Sequence, residues 1–166
     1  RGKAGVGMGY AIANVGADHL VIAHDPAFAV AESPVLKALA PLGILEPLDN
    51  RDIGPKKMRL VFYLENMHSF WNCAGVCLFG YAPRAWTPPE KMVEMVQAST
   101  GWNTSLWELA KVGERSVNMA RAFNVREGFS RKDDILPDIF FQPMKGGALD
   151  GKYISRQEFE ESLTAL

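Results

Sequence analysis

Met58-Arg59-Leu60-Val61-Phe62-Tyr63-Leu64-Glu65-Asn66-Met67-His68-Ser69-Phe70-Trp71 is the stretch that decides the fold class. Its apolar residues Leu60, Val61, Tyr63, Leu64, Met67, Phe70 and Trp71 recur at spacings of three and four. That is the repeat of a helix rather than the two-residue repeat of a strand. The spacing predicts a buried helix over about Met58–Phe70, ending just before Asn72.

Outward from this helix, further helices carry their own start signals. Thr87-Pro88-Pro89-Glu90 combines a capping box with prolines in the first turn. Ser105-Leu106-Trp107-Glu108 is a second box, opening a long helix to about Phe123 with Leu106, Leu109, Ala110, Gly113, Val117 and Ala120 on one face. Gly128 is placed to end it in the left-handed conformation. Ser155-Arg156-Gln157-Glu158 is the third box, before a short helix through Leu166. No alternating strand pattern appears, so the chain reads as all-α.

Before the central helix the chain is irregular. Gly2, Gly5, Gly7 and Gly9 meet neither phosphate-loop spacing. They fit close backbone approach, or entry to a short helix near Met8–Val15. Residues 24–57 hold Pro26, Pro34, Pro41, Pro47 and Pro55 and read as an insertion-like excursion, with one short helix at Pro34–Leu39 after a Ser33 cap. At 166 residues the length suits a single domain, 1–166.

Composition narrows the function classes. Hydrophobic residues make up 48% and charged residues 22%, and the net charge is −1 without any block of like sign. This supports neither a nucleic-acid footprint nor a membrane patch. No apolar run approaches the roughly 18–20 residues of a membrane span. Two cysteines and no signal peptide lead to the expectation of a cytoplasmic, reducing location. The opening Arg1-Gly2-Lys3-Ala4-Gly5 reads like the middle of a longer protein.

Both cysteines lie in Asn72-Cys73-Ala74-Gly75-Val76-Cys77-Leu78-Phe79. A cysteine there is either an inert core thiol or a ligand for a metal or cluster, and periodicity alone does not choose. A C-x-x-x-C redox pair is a third reading, at a spacing uncommon for dithiol catalysis. His19, between Asp18 and the apolar Leu20-Val21-Ile22, reads as a structural residue or as a proton carrier. His68 reads as packing or bonding locally. The mixed charges from Arg126 to Asp134 read as a solvated loop or as a polar frame near a cofactor or domain boundary.

Gly101-Trp102, Gly113-Glu114-Arg115, Arg121-Ala122-Phe123-Asn124-Val125-Arg126-Glu127-Gly128, Arg131-Lys132-Asp133-Asp134 and Leu136-Pro137 come in one order and spacing. Together they resemble the C-terminal region of the tungsten-containing aldehyde ferredoxin oxidoreductase family. Gly7-Met8-Gly9-Tyr10-Ala11, Gly16-Ala17-Asp18-His19-Leu20 and the Asn72–Phe79 segment, which resembles the family's D-x-x-G-L-C-x-F, extend the similarity. The resemblance implies a helical C-terminal piece of a larger enzyme that oxidises aldehydes to carboxylic acids and passes electrons to ferredoxin. It implies a tungsten or molybdenum bis-pterin and a [4Fe–4S] cluster, both shared with regions outside this chain.

By the same resemblance Cys77 is the fourth cluster ligand, and Asn72, Gly75 and Val76 belong to the cofactor-binding segment. His19 is then the residue near the metal that moves a proton or bonds substrate oxygen. Cys73 matches no ligand position and is expected to be a packed thiol or a neighbour of the ligand. Asn72 stands where the family commonly has aspartate, and Val21 where a basic side chain is expected. The partners implied are the remaining domains or subunit, ferredoxin and a small aldehyde; the chain alone is expected to be inactive. A non-catalytic helical subunit complementing a cofactor-bearing partner is the alternative.

Overall fold

A computed structural model of the chain describes residues 2–22, 24–81 and 88–166. Among the described residues, seven α-helices carry the fold: α1 (Ala4–Ile12), α2 (Pro34–Ala38), α3 (Pro55–Cys73), α4 (Leu78–Tyr81), α5 (Pro89–Thr100), α6 (Leu106–Arg126) and α7 (Arg156–Ala165). Short 3-10 turns lie between them, and among the described residues no strand forms; Asn14 and Gly16 make one isolated bridge.

The central helix is α3, and its residues enter three apolar cores in succession. Met58 and Val61 meet Met8 and Ala11 of α1, Phe159 and Leu163 of α7, and Leu136 and Ile154 of the loops. Leu60 and Leu64 meet Phe28, Val35, Leu36, Leu39, Ile44 and Leu48. Met67, Phe70 and Trp71 meet Met92 of α5 and Leu109 and Ala110 of α6. A helix apolar around most of its circumference must be covered on most sides, which is why the other elements gather around it.

The most extensive helix pairing is α3 with α6. Gly113 makes it possible: a Cβ there would meet the Asn66 carbonyl oxygen at 1.8 Å. On α6, Leu109, Ala110 and Gly113 are buried and Leu106 and Val117 half-buried, whereas Ala120 is exposed. The expected apolar face therefore stops being covered partway along the helix. Met119, Phe123 and Val125 are exposed beyond it.

The N-terminal helix begins four residues earlier than the glycine pattern suggested. The Asp25 carboxylate accepts from the Gly5 and Val6 backbone N–H groups at 3.1 and 3.0 Å, satisfying the first turn from a distant segment. Lys57 pairs with the same carboxylate and donates to the Asp49 carbonyl at 2.8 Å. A Cβ on Gly5 would lie 2.5 Å from an Asp25 oxygen, and one on Gly9 2.7 Å from Ile22. The glycines are thus close-approach positions inside a helix.

Residues 24–57 are irregular in backbone yet supply most of the second core. Ser33 precedes α2, but its hydroxyl donates to the Ala27 carbonyl at 2.7 Å instead of capping the helix. The Ser105 and Ser155 hydroxyls do accept from the Glu108 and Glu158 N–H groups. Thr87, the expected cap of α5, lies outside the described residues.

Candidate functional site

The cysteine segment begins inside α3, not after it. The helix continues through Asn72 and Cys73 and stops at Gly75, which takes φ +68°. Gly75 N–H donates to the Asn72 carbonyl and Val76 N–H to the Trp71 carbonyl, both at 3.1 Å. This Schellman closure reverses the chain and projects Val76 and Cys77 away from the helix end. Val76 folds back against the third core, while Asn72 and Cys77 are exposed.

Both thiols are free, and Cys73 is as exposed as Cys77. Of the two expectations for Cys73, a packed thiol or a neighbour of the ligand, the first is corrected: it lies exposed on the last turn of α3. Among the described residues, no three histidine, cysteine or acidic side chains converge as a complete metal site. Cys77 can supply a thiolate to a cluster whose other ligands come from elsewhere, and an exposed thiol on a tight corner suits that role.

His19 is exposed, in the turn that follows α1. Its ring meets that of His24 edge to face, centroids 5.8 Å apart, and His24 Nδ1 lies 2.9 Å from Lys3 Nζ. Leu20 N–H donates to the Asp18 carboxylate at 2.9 Å. The Leu20 carbonyl lies 2.7 Å from Nδ1 of His68, on α3. His68 thus bonds across 48 positions in sequence rather than locally. Through it, the His19 turn and the Asn72–Cys77 corner hang on the same helix, His68 one turn ahead of Asn72.

The charged loop after α6 is a packed polar frame on one side. Arg121 makes a bidentate pair with Asp134, its Nη1 at 2.8 Å from Oδ1. Glu65 of α3 faces the pair. Burial pushes its carboxyl up to about 7, against the pull of Arg121 and helped by the charge of Asp134. A cavity of about 240 Å³ opens there, lined among others by Asn14, Glu65, Asn118, Arg121, Arg131 and Asp134. A larger cleft of about 360 Å³, between the start of α3 and α7, contains neither a cysteine nor a histidine.

Sequence reasoning missed Glu65, the Asp25–Lys57 pair and the role of His68. For Glu65 and Lys57 a signal existed, since each is an ionisable residue within a buried helix. For Asp25 none did, because its partners lie 19 to 32 positions away.

An all-helical piece with two exposed thiols at the end of its central helix matches a known family of oxidoreductases. The family described as "Aldehyde ferredoxin oxidoreductase, domains 2 & 3" matches residues 1–166, and the chain belongs to that family. It is 30% identical over 163 residues to the tungsten-containing aldehyde ferredoxin oxidoreductase of Pyrococcus horikoshii. It is 29% identical over 160 residues to the protein of that name from Thermococcus kodakarensis, and 28% over 160 residues to that from Pyrococcus furiosus. Each match covers 95% of this chain and 24% of the relative, so the chain spans about a quarter of their length. No solved structure matches it. Among the described residues, no helix is long and apolar enough to cross a membrane.

Proposed function

We propose that this chain is the C-terminal part of an oxidoreductase that converts an aldehyde and water to a carboxylic acid. Two electrons and two protons are released, and the electrons leave for ferredoxin. The observation that carries the reading is Cys77, a free, exposed thiol on a glycine-closed corner of a chain that matches the family over its whole length. When bound, a tungsten or molybdenum bis-pterin would supply the two-electron chemistry and a [4Fe–4S] cluster the one-electron exit.

The residues of this chain then have defined tasks. Cys77 would hold one iron of the cluster as a thiolate. Gly75 keeps the corner free of a side chain so that backbone comes close to the cofactor, with Val76 anchoring the corner to the core. Asn72 offers an amide where a carboxylate would accept only, so it would be able both to donate to and to accept from the pterin edge. His19 takes the proton released at the substrate carbon or its attacking water. The reading implies a cytoplasmic protein.

In the parent protein, Cys77→Ser should abolish the electron paramagnetic resonance signal of the reduced cluster. An unchanged signal removes Cys77 from the ligand set. A second reading, a non-catalytic helical subunit, is favoured by the exposed Met119, Phe123 and Phe129, which need a covering partner. Metal-free parent protein that still binds its partner would support that reading.

A further inference from the structure

His68 is an unusual occupant for its place. It is 3% exposed, stacked on Trp71 with ring centroids 4.9 Å apart and planes 34° off parallel. Its Nε2 is buried with no hydrogen-bond partner. For filling volume alone, a leucine or methionine would leave no orphaned polar atom. What the imidazole contributes is its other nitrogen. A carbonyl oxygen only accepts, so at 2.7 Å from the Leu20 oxygen Nδ1 must carry the proton.

We infer that His68 is a positioning residue: its Nδ1–H, donated to the Leu20 carbonyl, fixes the backbone turn that presents His19. Burial lowers the His68 pKa to about 4, so the ring is neutral at physiological pH and Nδ1–H is its single N–H. The turn is held at both ends of one residue, Leu20 N–H by Asp18 and Leu20 C=O by His68. The fixed point is α3, which also carries the Cys77 corner, so His68 couples the position of His19 to that of the cluster ligand. The consequence for catalysis rests on the function proposed above; the structural part does not.

Three variants of the parent protein separate the cases. In His68→Asn the side-chain amide nitrogen falls where Nδ1 was; in His68→Gln it falls where Nε2 was; His68→Leu has no donor. Hydrogen–deuterium exchange of the peptide spanning 17–22 should rise at least tenfold in His68→Leu and His68→Gln and stay near wild type in His68→Asn. Peptides around 72–77 should keep wild-type exchange in all three. For aldehyde oxidation, kcat should fall at least tenfold in the leucine and glutamine variants with KM little changed, while His68→Asn restores it and the cluster signal persists throughout. Equal exchange in His68→Asn and His68→Gln, or unchanged exchange in His68→Leu, overturns the inference. A His19→Ala parent that keeps full activity sinks the role given to His19 and leaves the exchange result to judge His68. If His68→Leu does not fold, the asparagine–glutamine comparison still decides.

Discussion

Gly113 of α6 crosses the Asn66 carbonyl of α3 so closely that a Cβ would sit 1.8 Å from that oxygen and 3.0 Å from the Phe70 nitrogen. Both obstacles are backbone, so no rotamer change relieves them. Alanine would gain about 1 kcal/mol of helix propensity over glycine. Forcing the principal helix pair apart costs at least the roughly 1–3 kcal/mol of an overpacked core. Gly113→Ala should therefore lower thermal stability on balance, whereas Gly7→Ala, whose Cβ would meet Leu136 and Ile154 at an ordinary 3.7 Å, should not. Thermal unfolding of both variants tests this, and an unchanged midpoint for Gly113→Ala would contradict the crossing.

The Asp25–Lys57 pair is buried to 2% and 1% exposure and ties α1, the 24–57 segment and α3 together. Removing one member strands the other charge, which costs about 3–5 kcal/mol. Lys57→Met should show a loss of that order in urea unfolding. Asp25→Asn should cost as much, because it strands the Lys57 charge and turns an amide N–H toward a first-turn N–H of α1.

Glu65 makes stability depend on pH. Its carboxyl is raised in the fold from the ordinary 4.5 to about 7, so the folded state binds more protons than the unfolded state between those values. Stability from this group is present at pH 4.5 and below and declines as pH rises toward 7. Glu65→Gln removes that dependence and should stabilise the protein at pH 8 by about 1–3 kcal/mol. Unfolding free energies of the two forms at pH 5 and pH 8 give the answer; parallel pH dependence would mean Glu65 titrates normally.

The two thiols should part company once the cofactors are present. Both are exposed in this chain, so a thiol alkylating reagent should label Cys73 and Cys77 alike in cofactor-free protein. In the cluster-loaded parent, Cys73 should still react while Cys77 is protected as an iron thiolate. Mass spectrometry of labelled peptides reads this directly, and equal labelling of both in loaded protein would exclude Cys77 as a ligand.

What the sequence by itself determined is local. The three- and four-residue spacing of Leu60 through Trp71, the Ser105 and Ser155 caps and the Gly128 terminator are set by neighbours within a turn or two, and each stands in the structure where it reads. The family motifs are short runs too, so the resemblance and the Cys77 corner were legible. Tertiary structure decided the remainder, because its causes lie far apart in the chain. The N-terminal helix starts at Ala4 rather than Met8 because Asp25 arrives to satisfy its first turn. The Glu65 carboxyl is raised to about 7 because packing against another helix and loop buries it, against the pull of Arg121. His68 bonds Leu20 because α3 runs beneath the turn after α1. Hydrogen bonds and desolvation depend on which atoms meet in space, and local periodicity carries no record of that.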